Sequence, residues 1–256
     1  MTWKDKLWFF DTEVFHHRWL FNALSITGER VSFSNNKNDF SYWLDQINPL
    51  LVGYNSKHYD NYIMKAILAN ATPEEIKAIS DAIIVNGING WEIDMGWVHL
   101  PNTIDLMLDL ATKPSLKMIE GNLKMSIEES SIDFNQEHVS DSEWEEVVDY
   151  CWHDVESLVP LYEKRLNYLE AKETLALMMN PPIEVEKALN MTNAKLSAKF
   201  LGAKFVERHD ERDYKYPDNL KKENIPQEVF DFFGHFLDKD VPLYKVFKTL
   251  KKEDEE

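Results

Sequence analysis

The first part of the chain alternates short apolar runs with turn residues, a pattern that predicts strands before helices. Leu7 to Phe10 and Arg18 to Ile26 are apolar runs, and Arg30 to Ser34 is strand-like. The sequence Thr27-Gly28-Glu29 separates the last two and is a turn signal. Three strands joined by short turns predict a meander.

Strands and helices then alternate. Asp39 to Ile47 has apolar residues on one helical face, and Leu50 to Tyr54 is a buried-strand candidate. The pattern continues with helices over Asp60 to Ala69, Ile76 to Ile84 and Ser115 to Leu123, and with a strand over Thr103 to Leu106. This order predicts an α/β protein with a mixed sheet flanked by helices.

A long helical pattern follows the capping sequence Ser140-Asp141-Ser142-Glu143 and runs almost to Met179. Pro160 lies inside it and is expected to break or kink the helix. Pro181-Pro182 then marks a boundary, so we expect a domain over residues 1–180 and an extension over 181–256. The extension is polar, with helices predicted near Asn193 to Phe205 and near Pro226 to Leu237.

Composition narrows the class of protein. A hydrophobic fraction of 44% over 256 residues is enough for a buried core. The net charge of −17 argues against a broad non-specific coat on nucleic acid or on an anionic membrane, but it allows nucleic acid as a substrate held in a local groove. The lone Cys151, the lack of a long apolar run and an amino terminus unlike a signal peptide predict a soluble protein of a reducing compartment, without a membrane partner.

Two carboxylates follow the first apolar run. Asp11 and Glu13 are two residues apart, so on a strand they lie on the same side and repel each other. A divalent metal ion is the usual remedy for such repulsion. The same spacing recurs at Asp141/Glu143 and Asp154/Glu156, but only the first pair follows a probable central strand, where sheet enzymes keep their sites.

The turn after the next buried strand carries Asn55, Tyr59 and Asp60. Asp60 alone fits a plain helix cap. Asn55 can bind near the backbone of a substrate, and Tyr59 offers a stacking face for a base. Further along, Tyr150 and Asp154 are four residues apart on the long helix and share a face, which also fits a buried tyrosine bonded to an acid.

Taken together, the three motifs resemble those of the DEDD-type 3′→5′ exonucleases, in the subclass that carries a tyrosine. Asp11-x-Glu13, Asn55-x3-Tyr59-Asp60 and Tyr150-x3-Asp154 resemble the first, second and third exonuclease motifs. The histidine subclass has its histidine five residues before the last acid, where this chain has Asp149, so we interpret His153 as surface or packing. The resemblance implies a ribonuclease H-like fold for residues 1–180.

The chain also resembles the proofreading exonuclease domain of bacteriophage family B type DNA polymerases. Ser115-Leu116-Lys117 resembles their Ser-Leu motif, and the resemblance implies contacts to single-stranded DNA from Ser115, Leu116 and Lys117 beside Asn55 and Tyr59. The palm signature Y-x-D-T-D is absent from the sequence. We therefore expect a fragment, a separate exonuclease subunit or a stand-alone relative, with a polymerase domain or subunit as a partner outside this chain.

The resemblance implies hydrolysis of phosphodiester bonds from a DNA 3′ end with two Mg²⁺ or Mn²⁺ ions. Asp11, Glu13, Asp60 and Asp154 would hold the metal ions, and Tyr150 would orient the attacking water. A cytoplasmic location follows, in the host cell if the protein is phage-encoded. The alternatives are an RNA or general single-strand exonuclease on the same fold and an inactive structural module of a replisome. Trp91, Trp97 and Trp144 are expected to pack in the protein rather than to stack on bases.

Overall fold

The computed structural model describes residues 2–128 and 130–203, which form a five-stranded sheet with helices on both faces. The strands are β1 Leu7–Val14, β2 Trp19–Ser25, β3 Arg30–Ser34, β4 Leu50–Gly53 and β5 Thr103–Asp105. The α-helices are α1 Lys37–Ile47, α2 Asp60–Leu68, α3 Pro73–Ile84, α4 Leu116–Leu123, α5 Asp141–Met178, α6 Val185–Leu189 and α7 Asn193–Phe200. Short 3₁₀ turns cover Trp3–Lys6 and Gly90–Glu92.

The sheet has the order β3-β2-β1-β4-β5. The first three strands are an antiparallel meander, as the turn signals predict, while β1, β4 and β5 run parallel to one another. This mixed sheet confirms the predicted α/β class and is compatible with the ribonuclease H-like fold. The carboxyl ends of β4 and β5 meet at one edge of the sheet, beside the second half of β1.

Alternation along β1 divides the core into two layers. Trp8 and Phe10 pack in one cluster with α1, α2 and α3, and Leu7 and Phe9 pack in another with α5. Asp11 continues the second series, and its Oδ2 atom lies 3.8 Å from the Sγ atom of the α5 residue Cys151. The strand period therefore turns the first acidic pair toward α5.

Helix α5 supplies the other side of the site. Ser140 caps it and accepts a hydrogen bond from the backbone N–H of Glu143. The helix continues through Pro160, so the predicted break does not occur, and the alternative of a kink stays a prediction. Leu158 and Leu161 are buried on either side of Pro160, and their packing offsets the roughly 3 kcal/mol that an internal proline costs. Among the described residues, no helix has both the length and the apolar character needed to cross a membrane.

The last described helices pack on the end of α5. Ala176 and Met179 form a small core with Ala188 of α6 and Leu196 of α7. The predicted helix near Asn193 is observed as α7. The predicted helix near Pro226 to Leu237 and the rest of residues 204–256 lie outside the described residues, and the domain division at residue 180 stays a prediction.

Candidate metal centre

An open cleft of about 720 Å³ lies at the carboxyl ends of β4 and β5. The strand β1, the start of α2, the start of α4 and one face of α5 bound this cleft. It is lined by nine of the ten residues that the sequence singles out: Asp11, Glu13, Asn55, Tyr59, Asp60, Ser115, Leu116, Tyr150 and Asp154. Lys117, the tenth, contacts the cleft residue Asp154.

The pair from β1 lies at the bottom of the cleft. Carboxylate oxygens of Asp11 and Glu13 and the Sγ atom of Cys151 all lie within 4.8 Å of one another. Burial raises the pKa of both carboxyls well above the ordinary values, and the charges of Asp60 and Asp154 add to this effect. Burial likewise raises the pKa of the Cys151 thiol, so the sulfur stays protonated and is a weak donor rather than a metal ligand.

Asp60 enters the cleft from the first residue of α2. Its Oδ1 atom accepts a 2.6 Å hydrogen bond from the Thr12 hydroxyl, which orients the carboxylate toward β1. Burial raises the pKa of Asp60 to about 7, although the bond from Thr12 acts in the opposite direction. Asp60 is therefore not a plain helix cap, since it lies buried beside two other acids.

A further acid, for which the sequence indicates no role, holds the turn before Asp60. The Asp105 carboxylate, at the end of β5, accepts backbone N–H bonds from Asn55 at 2.9 Å, Lys57 at 3.2 Å and Met107 at 2.8 Å. Asn55 has a left-handed backbone with φ of 57°, which asparagine tolerates better than most residues. Gly53 permits the tight turn, because a Cβ atom there would lie 2.9 Å from the Phe10 ring.

Tyr150 and Asp154 lie one helical turn apart on α5, as predicted. Burial raises the pKa of Asp154, and the neighbouring Lys117 ammonium offsets part of this rise. Burial and then the charges of Asp154 and Glu13 raise the pKa of Tyr150 above its ordinary value. Its phenol therefore keeps its proton at neutral pH and remains a hydrogen-bond donor.

Among the described residues, Lys117 is a cation in direct contact with these acids. Its ammonium forms an ion pair with Asp154 and lies 4.6 Å from the centre of the Tyr150 ring. The sequence predicts a contact from Lys117 to a DNA strand, and the structure pairs it with a carboxylate of the cleft. Lys117 therefore supplies part of the positive charge that the cluster needs.

Glu120 is an acid that the sequence interpretation missed. It is fully buried on α4, and neither carboxylate oxygen has a hydrogen-bond partner in the described part of the chain. Lys117 Nζ lies 3.7 Å from Oε2, and His153 Nε2 lies 3.5 Å from Oε1. The sequence feature that could have identified Glu120 is its spacing. It follows the core-packed Leu116 by four residues and therefore shares its helical face.

The residues that are predicted to contact the DNA strand also make contacts within the protein. Ser115 is exposed and caps α4, accepting a 3.2 Å bond from the Met118 backbone N–H. Leu116 packs against the core cluster beneath α5. The Tyr59 hydroxyl lies 2.8 Å from the Ser80 hydroxyl, which fixes the ring at the cleft wall. Their contacts to DNA stay predictions.

The prediction that Trp91 and Trp97 pack in the protein is wrong. Their side chains are 65% and 66% exposed in the loop that follows α3. Trp144 is half-buried and packs edge-on against Phe15, with 5.9 Å between ring centres, which agrees with the prediction. The difference arises because Trp144 lies on the packed face of α5, whereas Trp91 is carried by a short turn.

The donor set fits a divalent metal ion. The available ligands are the carboxylate oxygens of Asp11, Glu13, Asp60 and Asp154, which suit Mg²⁺ or Mn²⁺ better than softer ions. Burial first, and then the charges of neighbouring carboxylates, raise the pKa of all four acids, so a bound cation would favour their charged forms. This buried acidic group can therefore hold metal.

Comparisons with known proteins are sparse. No protein-family model matches this chain. No curated protein matches it either. Among solved structures, it is similar to the family B DNA polymerase from the hyperthermophilic archaeon Pyrobaculum calidifontis, with 15% identity and a TM-score of 0.49. The match covers 76% of this chain and 28% of the polymerase chain, and likeness at this level does not bear on individual site residues.

Proposed function

We propose that this chain is a metal-dependent 3′→5′ exonuclease that hydrolyses single-stranded DNA from its 3′ end. The observation that carries this proposal is the convergence of four acids from three separate elements, with Tyr150, in one open cleft. The acids repel one another, and the cleft is open enough to admit a polymer end. We infer a role in proofreading, together with a polymerase domain or subunit that this chain lacks.

In this proposal Asp11, Glu13, Asp60 and Asp154 would hold the divalent ions. Bound metal would supply positive charge that stabilises the negative charge developing on the phosphate and would lower the pKa of the attacking water. Tyr150 keeps its proton and orients the water by a hydrogen bond. Water oxygen bonds to phosphorus, the bond to the 3′ oxygen of the preceding nucleotide breaks, and that oxygen takes up a proton.

The products distinguish this function from its alternatives. Each step releases a nucleoside 5′-monophosphate and leaves a strand that is one nucleotide shorter. Single-stranded DNA and RNA of the same sequence, labelled at the 5′ end, are incubated with Mg²⁺, Mn²⁺ or chelator. We expect a ladder of shortened DNA that requires metal and is weaker on RNA.

Asp141→Ala is the control for substitutions of the acids in the cleft. Asp141 has the same spacing to Glu143 as Asp11 has to Glu13, but its side chain is 94% exposed. We expect this variant to degrade DNA like the wild type. Equal or faster degradation of RNA would make the protein an RNA or general single-strand exonuclease, and no degradation of either strand would favour a structural role in a replisome.

A further inference from the structure

An exposed aromatic surface adjoins the cleft. Ile84, at the end of α3, lines the cleft and is 65% exposed, and His58 lines the same wall. The ring of Trp91 meets the ring of His58, with 6.3 Å between the ring centres and 66° between the planes. We call these three side chains, His58, Ile84 and Trp91, the Trp91 platform.

The backbone around Trp91 is fixed rather than loosely exposed. Gly90 is buried against the ring of Tyr62, and a Cβ atom at this position would overlap that ring. The N–H groups of Glu92 and Ile93 donate to the carbonyls of Asn89 and Gly90 at 2.9 and 3.0 Å. This tight turn leaves the indole in solvent although the residues around it are anchored.

The end of α3 also holds this loop. The Ile88 N–H donates to the Ala82 carbonyl at 2.9 Å, and Met95 packs against the core beyond the turn. Trp91 and Ile84 are thus exposed apolar side chains beside the cleft, and the backbone that carries Trp91 is anchored, an arrangement that fits a ligand-binding groove. Because this surface lies beside the acidic cleft, a ligand that is bound in the cleft can also contact it.

Charge indicates which part of a nucleic acid this surface fits. Within the described residues that line the cleft, Lys113 is the cation, and Lys117 at its edge is already paired with Asp154. Release of counterions from phosphates therefore supplies little affinity. Stacking of bases on aromatic side chains does not depend on cations, so it can hold a strand near an acidic site.

We propose that the Trp91 platform is a base-stacking subsite for the single-stranded substrate. The inference rests on the proposed function and extends it. The acidic cleft takes the terminal nucleotide and the phosphate to be cleaved, so the strand that leaves the cleft is the part on the 5′ side. An unpaired base of that part stacks on Trp91, and His58 and Ile84 continue the apolar wall into the cleft.

The test measures binding without cleavage. Fluorescence anisotropy follows a 5′-labelled oligonucleotide on the full chain in Ca²⁺, with an abasic residue at successive positions upstream of the 3′ end. One or two abasic positions should weaken wild-type binding roughly 5- to 150-fold, the range of a lost base stack. Trp91→Ala should weaken binding of the intact strand by a similar factor and should no longer respond to the abasic positions.

Trp97→Ala is the matched control, because Trp97 is equally exposed in the same loop and has no described contact with a cleft residue. It should bind like the wild type, and both variants should keep the wild-type melting temperature. If neither Trp91→Ala nor any abasic position changes the affinity, the Trp91 platform is not a base-stacking subsite. The exposed surface would then be assigned to binding of a protein partner.

A separate readout distinguishes failure of the subsite from failure of the proposed function. Thymidine 5′-p-nitrophenyl phosphate carries a hydrolysable phosphodiester but no upstream base. Wild type and Trp91→Ala should hydrolyse it equally with Mn²⁺. Absence of hydrolysis in the wild type would contradict the exonuclease proposal, whereas the anisotropy result would still decide the stacking subsite.

Discussion

Two kinds of buried acid lie at the same edge of the sheet. Asp105 is buried at the end of β5, and three backbone N–H groups donate to its carboxylate. Asp60 is equally buried and accepts a bond from the Thr12 hydroxyl, with further backbone hydrogen bonds from Asp60 and Thr12, but its charge also acts on the neighbouring carboxylates of Asp11 and Glu13. Each of these acids is adjacent to an apolar segment. The local sequence therefore does not distinguish their roles.

The comparison shows that burial alone does not identify a metal ligand. A carboxylate that accepts several N–H bonds has its charge stabilised by the fold, so it serves the structure. A buried carboxylate whose pKa stays raised beside other carboxylates, even where it accepts hydrogen bonds, keeps an electrostatic demand for a cation. Asp105 belongs to the first kind and shapes the turn, whereas Asp11, Glu13, Asp60 and Asp154 belong to the second.

The largest expected effect is on activity. Asp11→Ala removes one of the four carboxylates that would hold metal in the proposed mechanism. Loss of several kcal/mol of transition-state stabilisation should lower turnover of single-stranded DNA by roughly a thousandfold or more. The measurement is the rate of mononucleotide release with Mg²⁺, with Asp141→Ala as the control. Unchanged turnover in Asp11→Ala would contradict the proposal that Asp11 is a metal ligand.

Added metal should stabilise the folded protein. An ion that binds only the folded state adds about 2.7 kcal/mol at 100 times its dissociation constant. Mg²⁺ or Mn²⁺ should therefore raise the melting temperature above that in chelator and matched NaCl. Asp154→Asn should weaken this response. A response as large in Asp154→Asn as in the wild type would place the metal elsewhere.

Substitution of the two kinds of acid should change stability in opposite directions. Asp105→Asn weakens bonds to three backbone donors and should lower the free energy of unfolding by about 1–3 kcal/mol. Asp60→Asn removes one of the repelling charges and should raise the metal-free stability. Urea unfolding in chelator measures both. Destabilisation of similar size in both variants would remove the distinction between the two acids.

The acidic cluster should also make stability depend on pH. Its raised pKa values mean that the folded state binds more protons than the unfolded state once the unfolded acids ionise near pH 4. Metal-free stability should therefore fall as the pH rises from about 4 to about 7, the pKa of Asp60. Urea unfolding across this range should show a smaller fall in Asp60→Asn than in the wild type.

The smallest effect concerns Lys117. Its ammonium pairs with Asp154, so it competes with a metal ion for the same carboxylate. Lys117→Met should tighten Mn²⁺ binding about fivefold, which corresponds to about 1 kcal/mol, in calorimetric titration. Lys113→Met is the control, because Lys113 lines the same cleft and has no acid partner among the described residues. Weaker Mn²⁺ binding in Lys117→Met would contradict competition.

Local pattern was sufficient for the elements that carry the site. The apolar run Leu7 to Phe10 predicted the first half of β1, and the capping sequence at Ser140 predicted the start of α5. These signals act over a few residues, where backbone sterics and hydrogen bonds dominate. The break at Pro160 was predicted wrongly, because packing of the flanking residues against the sheet outweighs the local preference.

The amino-acid sequence by itself determined that Asp11 and Glu13 share one side of a strand and that Tyr150 and Asp154 share a helical face, because these positions follow from periods of two and 3.6 residues. It placed the first pair after the strand, whereas β1 continues through both acids to Val14. Only the tertiary structure decided what surrounds each acid. Two of the three donors to Asp105 come from 50 and 48 residues away, and Lys117 reaches Asp154 across 37 residues. The exposure of Trp91 likewise depends on Gly90 resting against Tyr62. Such contacts depend on how distant segments pack, and no local period encodes them.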